Sequence, residues 1–419
     1  MSRHARRRSL SLLVPACALL VLGGCSAVSP EHSVAHAAGP ARETDAATLR
    51  IATFNTSLYD PEGQLVSRLE RGDPAAANVA AILQHVRPDV VLLNEFDYDP
   101  EGAAARLFRE RYLQRGQAGE APIEYPYAFA PPVNTGVPSG LDINGDGRSD
   151  GPNDAWGFGT HPGQYGMLLL SRFPIDAAQI RTFRLLRWAQ MPQAHRPAWP
   201  DGGAPFHPDP VWTQLRLSSK NHADIPLRTP LGTLHVLAAH PTPPIFDGVE
   251  QLNRRRNFDE LRLWADYLSG GEDAAWIIDD HGRSGGFGAE VPFVLLGDLN
   301  ADPLDGNNLP NAIGQLLLHP RVLDYPAPRS AEAGRQQQNG ERGVHRTDPA
   351  TDTGAFGPRT GNLRVDYVLP SRELQVVRSA VFWPGVGETG ADWISSSDHR
   401  LVWVELQRAE SDASAHRPD

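Results

Sequence analysis

Along this chain, short runs of apolar residues end abruptly in polar ones. Leu49 to Phe54 runs into Asn55, Asp89 to Leu93 into Asn94 and Glu95, Thr233 to Ala239 into His240, and Pro292 to Leu296 into Gly297 and Asp298. Near-continuous apolar runs of this length predict strands buried on both faces. Further strands are predicted at Met167 to Ser171, Val211 to Leu217, Arg364 to Leu369, Leu374 to Phe382 and Arg400 to Leu406. Asp73 followed by Pro74 predicts a capped helix start running to about Val86. Other helices are predicted near Ala103 to Arg115, Gly248 to Leu268 and Leu309 to Leu318. Many strands and few helices predict two packed sheets flanked by helices, not one doubly wound parallel sheet.

The 419 residues could hold two average domains, but two-sheet α/β enzymes commonly form one large unit. One domain over residues 48–407 is expected, with inserted loops near 130–163, 191–210 and 329–360 and a disordered tail over 408–419. Those loops are rich in Gly, Pro and polar residues, and long irregular loops in a compact enzyme shape access to its site. The first residues predict a processing segment over 1–24: a basic start (Arg3, Arg6, Arg7, Arg8), an apolar stretch from Leu10 to Leu22, then Gly23, Gly24 and Cys25. Leu22 to Cys25 resembles a bacterial lipobox. Lipid on Cys25 would anchor the protein to a membrane through a flexible tether over 25–47; an ordinary cleaved leader, with Cys25 incidental, is the alternative. An exported protein is expected either way, as a cell-envelope lipoprotein or a secreted or periplasmic protein. Cys17 leaves with the leader, so no disulfide enters the stability of the mature chain.

Charge narrows the class of partner. The formal net charge is −11, and loss of the four leader arginines takes it to −15. Such acidity argues against a broad basic face for duplex DNA. It leaves room for a metal-assisted site, because a cation can supply the positive field locally.

The polar residues at the strand ends have the types that phosphoester cleavage needs. Glu95 and Asn55 offer hard oxygen ligands for Mg²⁺ or Mn²⁺. Asp298 and Asn300, two apart on what is expected to be extended backbone, should face one phosphate: the carboxylate to orient or deprotonate water, the amide to donate to an oxygen. His240 and the adjacent pair Asp398 and His399 are the proton and charge handlers. Asp366 is the candidate acceptor that fixes an imidazole tautomer, leaving Asp398 to touch metal or water. Singly, each residue reads first as a strand-end cap, a turn or a structural histidine. Their order and spacing together favour chemistry.

Taken as a set, these segments resemble the endonuclease/exonuclease/phosphatase (DNase I-like) superfamily from about Leu49 to Leu406. Gln164 to Pro174 resembles its central strand, with Gly166 allowing close backbone approach. The resemblance implies a four-layer α/β/β/α sandwich with the site at one end of the two sheets. It implies Asn55 and Glu95 as metal ligands, Asp298 activating water, Asn300 holding phosphate and water, Asp366 orienting a histidine, and His399 stabilising the transferring phosphoryl group. His240 stands where members carry histidine or tyrosine.

One stretch departs from that pattern. Asp142, Asn144, Asp146 and Asp150, with Gly147 at the sixth position, have the spacing of a calcium loop, although Asn153 stands where a glutamate is expected. A structural Ca²⁺ is one reading and a plain exposed polar loop the other. Arg254, Arg255 and Arg256 read as a solvated helix face. The expected activity is a divalent-metal phosphoesterase, monomeric, acting on a small phosphoester, a phospholipid head group or a nucleotide. A secreted nuclease acting on nucleic acid is the close alternative, and a non-catalytic lipoprotein binding phosphorylated ligands is the reading from another class.

Overall fold

The structure, a computed structural model, describes residues 47–200, 203–288, 290–337 and 344–409. The leader, Cys25, most of the tether and nearly all of the tail therefore lie outside the described residues. Strands and helices alternate at the start: β1 (Leu49–Leu58), α1 (Leu65–Arg71), α2 (Pro74–Val86), β2 (Val90–Phe96) and α3 (Ala103–Leu107). Then follow β3 (Tyr127–Phe129), β4 (Met167–Ser171), β5 (Arg181–Thr182), α4 (Asp209–Trp212), β6 (His222–Thr229), β7 (Gly232–Ala239), α5 (Leu252–Ser269) and β8 (Phe293–Asp298). The chain ends through β9 (Gly354–Ala355), β10 (Asn362–Leu363), β11 (Asp366–Pro370), β12 (Leu374–Val381) and β13 (Val402–Arg408).

Two mixed sheets carry the fold, in the orders β12-β13-β1-β2-β4-β3 and β11-β8-β7-β6-β5. β1 with β2, and β7 with β8, run parallel; the other pairs within these sheets are antiparallel. The period-2 alternation of a strand sorts the side chains into layers. Ile51, Leu92, Val236, Ala238, Val294 and Leu296 meet between the sheets. Ala52, Phe54, Val91 and Leu93 point outward against α1, α2 and α3, while Leu237, Ala239 and Leu295 point outward against α5. Both faces of the central strands are thus buried, which explains their continuous apolar runs. The architecture is the α/β/β/α sandwich.

Asp73 caps α2 by accepting from the Ala76 N–H at 3.0 Å, as the sequence predicts. Gly166 also behaves as expected: a Cβ there would lie 2.6 Å from the Phe96 carbonyl oxygen. Four local readings need correction. Val211 to Leu217 is a helical turn and loop, not a strand; Trp212, Leu215 and Leu217 sink into the cluster around Trp264 instead of pairing. The strand in that region is β6, hidden in the sequence by His222, Asp224 and Pro226. The helix expected over Leu309 to Leu318 forms only at Gly314–Leu317, and the one over Ala103 to Arg115 passes into a π-helical turn at Phe108–Leu113. The arginine run is no solvated face: the Arg256 guanidinium donates to the carbonyls of Trp156, Arg216, Leu217 and Ser218, and Arg254 pairs with Asp247.

Candidate active site

Strand parity explains why distant residues meet. Asn55 continues the inward series of Ile51 and Thr53, Asp298 that of Val294 and Leu296, and His240 that of Val236 and Ala238. Asp366 likewise shares parity with Val368 on β11. All four emerge between the sheets, at the end where the apolar filling stops. Asn94 stitches the sheets together there: its Oδ1 accepts from the Asp298 N–H at 3.1 Å and from the Thr53 hydroxyl at 3.3 Å. Gly297 is needed beside it, because its φ is +149° and a Cβ would come within 1.9 Å of the Ala239 carbonyl oxygen.

Asp298 is the hub. Its Oδ2 accepts from Asn55 Nδ2 at 3.0 Å and lies 3.4 Å from His240 Nε2 and 3.6 Å from His399 Nε2. Its Oδ1 accepts from the Asn300 N–H at 3.0 Å. Burial alone would raise its pKa, but the His399 charge, the His240 contact and the Asn55 amide outweigh it and hold the carboxyl ionised.

His399 is oriented from behind. Its Nδ1 faces Asp366 Oδ2 at 2.9 Å, and that oxygen also accepts from the Thr353 hydroxyl at 2.8 Å. The His399 N–H donates to Ser397 Oγ, whose hydroxyl donates to the Asn55 carbonyl at 2.8 Å, tying the histidine to β1. Phe356 stands edge-on to the imidazole at 5.1 Å. Burial pulls the His399 pKa down, but Asp366 and then Asp298 overcome it and carry it up to about 10, so the ring is an imidazolium at neutral pH. His240 goes the other way: burial first, then the Lys220 charge, lowers it to about 4, and the ring is neutral. Two imidazoles in opposite charge states thus flank one carboxylate.

Glu95, next to last in β2, has the outward parity, but its backbone is left-handed (φ +55°) and its carboxylate meets the Asn55 amide. A non-glycine residue held there costs about 1–3 kcal/mol, a strain that clusters at functional positions. Burial raises the Glu95 pKa, opposed by the His399 charge and by a hydrogen bond from Asn55. Glu95 forms no ion pair among the described residues, and Asn55 Oδ1 spends one lone pair on the Ser57 N–H at 3.2 Å. This donor set fits a hard cation, which would offset two neighbouring carboxylates that have no cationic side chain in direct contact with Glu95. Asp298, Asp366 and His399 also bring one ligand atom each within 4.8 Å of one another. We favour the Glu95 side, because the His399 imidazolium has no lone pair to give, although Asp366 Oδ1 is buried without a partner.

The structure therefore brings Asn55, Glu95, His240, Asp298, Asp366 and His399 together. Asp398 is at the mouth, its side chain 54 % exposed and 4.0 Å from His399 Nε2. Asn300 departs from expectation: β8 ends at Asp298, Asn300 adopts φ +53°, and its amide donates to the Pro241 carbonyl at 3.2 Å. The extended-backbone argument that aimed both side chains the same way is thus wrong; proximity survives through the turn. Sequence reasoning missed Asn94, Thr353 and Lys220. Asn94 sits beside Glu95 at a strand end and was open to the same argument; Thr353 and Lys220 had no local signal.

The possible calcium loop is exposed. Asp142 accepts from the N–H groups of Gly145, Asp146 and Gly147, Asn144 Oδ1 accepts from the Asp146 N–H, and Asp150 pairs with Arg148 on the surface.

A model of the Endonuclease/Exonuclease/phosphatase family matches residues 52–399. No curated protein matches the chain. Among solved structures it is similar to an endonuclease/exonuclease/phosphatase from Beutenbergia cavernae, at 19 % identity over 86 % of this chain and 72 % of that one, with a TM-score of 0.49. It is also similar to sphingomyelinase C from Streptomyces griseocarneus, at 16 % identity over 86 % and 99 % of the two chains, with a TM-score of 0.41. The catalytic domain of human Nocturnin with a bound sulfate anion gives 13 % identity, 86 % and 94 % coverage and a TM-score of 0.42.

Proposed function

The chain belongs to the Endonuclease/Exonuclease/phosphatase family, whose members hydrolyse phosphoester bonds, and from that premise we propose that it is an exported, divalent-metal-dependent phosphoesterase. The observation that carries this reading is the ring of donors around one ionised carboxylate: Asn55, His240, His399 and the Asn300 N–H all address Asp298. Residues separated by more than three hundred positions have no packing reason to converge as charged and polar groups at an apolar core's edge.

Glu95 and Asn55 would hold a Mg²⁺ or Mn²⁺ ion, which when bound supplies positive charge to the phosphoryl oxygens. Asp298, held ionised, orients the attacking water and accepts its proton. His399, held protonated, presents Nε2–H to a non-bridging oxygen where negative charge builds. Asp366 fixes the ring that does so. His240, neutral, keeps Asp298 Oδ2 in place. The bond from water oxygen to phosphorus forms as the ester P–O bond breaks, and the departing oxygen takes its proton from solvent.

The acidic net charge of the chain favours a small phosphoester, a phospholipid head group or a nucleotide over long duplex DNA. The lipobox-like Leu22 to Cys25 supports export and a membrane anchor. Turnover of an aryl phosphodiester, an aryl phosphomonoester, sphingomyelin and plasmid DNA, each with Mg²⁺ or Mn²⁺, tests the proposal. Hydrolysis of at least one ester is expected; no turnover of any would leave a binding protein.

A further inference from the structure

Lys220 is a buried lysine that the scheme above does not use; burial lowers its pKa, opposed by the charges of Glu260, Glu95 and Asp298. It precedes β6, is 5 % exposed, and its Nζ makes a single hydrogen bond, to the Pro241 carbonyl at 3.4 Å. An ammonium carries three N–H donors. Burying one with two donors unspent and no ion pair costs several kcal/mol, roughly, unless something compensates. Among the described residues Lys220 forms no ion pair.

The nearby buried carboxylate is not its partner. Glu260 on α5 accepts from the Ser219 N–H at 2.7 Å with one oxygen and from the Thr242 N–H at 2.6 Å with the other. Glu260 instead fixes, with one carboxylate, the two segments that carry Lys220 and the His240–Pro241 turn. Further bonds hold the Lys220 segment: Asn134 Nδ2 donates to the Ser218 carbonyl at 2.8 Å, and Asn221 Nδ2 to the Pro132 carbonyl at 2.8 Å. The lysine is thus built into place.

Its direction is given by a shared acceptor. The Pro241 carbonyl that takes Lys220 Nζ also takes Asn300 Nδ2 at 3.2 Å, so the ammonium lies one carbonyl away from a residue of the Asp298 turn. Lys220 also feels Glu260 first, then Glu95 and Asp298, as favourable charges, and His240 feels Lys220 as an unfavourable one. It therefore lies near the His240–Pro241 turn and the Asp298 turn.

We propose that Lys220 is a phosphoryl-binding residue, donating its two unspent N–H groups to a non-bridging oxygen of the substrate. The inference rests on the phosphoesterase reading and adds a second cation to that of His399 for holding the anion. Substrate phosphate would complete the coordination the folded protein leaves open.

Lys220→Met and Lys220→Gln remove the charge, the first keeping the apolar stem and the second a donor. With saturating Mg²⁺, both should lose about 100-fold in kcat/KM on an aryl phosphoester. Calorimetry should show weaker binding of inorganic phosphate, while the melting temperature stays or rises because an unpaired buried charge has gone. Lys220→Arg should recover part of the phosphate affinity. Parental phosphate affinity and turnover in folded Lys220→Met or Lys220→Gln would overturn the assignment while leaving the phosphoesterase reading intact. A loss that merely tracks a fall in melting temperature would also overturn it. If the parent protein neither binds phosphate nor cleaves any ester, both readings fail together.

Discussion

Asp366 Oδ2 lies 2.9 Å from His399 Nδ1, and the opposite ring nitrogen, Nε2, lies 3.6 Å from Asp298 Oδ2. An imidazole held between two carboxylates in a buried setting carries a proton on each nitrogen. Asp366 itself is braced by the Thr353 hydroxyl, which also accepts from the Asp366 N–H at 3.0 Å. The Asp366→Asn variant keeps the shape and removes the charge that holds His399 protonated. Its turnover should fall by about two orders of magnitude with little change in metal requirement. Wild-type rates in a folded variant would show that His399 needs no orienting partner.

Glu95 is the test of where the cation is held. Glu95→Gln keeps the size and hydrogen-bonding reach but halves the carboxylate charge shared with Asp298. The Mg²⁺ concentration for half-maximal rate should rise about tenfold or more. An unchanged metal titration would remove Glu95 from the ligand set and move attention to the cluster of Asp298, Asp366 and His399.

Much of this arrangement was legible in the chain, for a physical reason. β1, β2, β7 and β8 are buried on both faces, so their apolar runs are unbroken and each polar residue that stops a run marks the end of the core. What escaped was decided by tertiary contact. β6 contains His222, Asp224 and Pro226, which are compatible with a strand only because Glu260, Tyr267 and His235 satisfy the polar groups. Val211 to Leu217 has a strand-like pattern, but its apolar residues fill the space beside Trp188 and Trp264. Asn300 was misjudged because the turn after Gly297 breaks the alternation that the argument assumed. Lys220 is one lysine in a polar stretch, and its importance depends on what Glu260 and Pro241 do elsewhere.

His222 predicts a pH dependence of stability. It is buried, its Nε2 faces the Glu260 carbonyl at 3.0 Å, and its Nδ1 accepts from the Ser218 hydroxyl at 2.5 Å, a pairing that suits the neutral ring. Burial lowers its pKa from 6.5 to about 4. The unfolded chain takes up a proton that the folded chain refuses, so this contribution is present above the unfolded pKa. It is lost as pH falls from 6.5 towards about 4. The full loss is about 3 kcal/mol. Denaturant unfolding between pH 7.5 and pH 4.5, compared with His222→Gln, measures it; equal slopes in the two proteins would contradict the assignment.

The loop from Asp142 to Asp154 makes a separate prediction. Asp142, Asn144 and Asp146 curl their side chains onto the loop's own N–H groups, and a bound Ca²⁺ would have to share or replace those bonds. Chelator-stripped protein titrated with Ca²⁺ in a calorimeter should show one equivalent bound, and Asp146→Ala should abolish it. One equivalent still bound by Asp146→Ala, or no heat from the parent, would leave a plain polar loop.

The most direct test compares the protein with Asp298→Ala on the best substrate from the ester panel at saturating Mg²⁺. Asn55, His240, His399 and the Asn300 N–H all address that carboxylate, so a correctly folded Asp298→Ala protein should lose at least about two orders of magnitude in turnover. Equal rates in the two proteins would mean that the convergence of Asn55, His240, His399 and Asp298 serves the fold and not phosphoester hydrolysis.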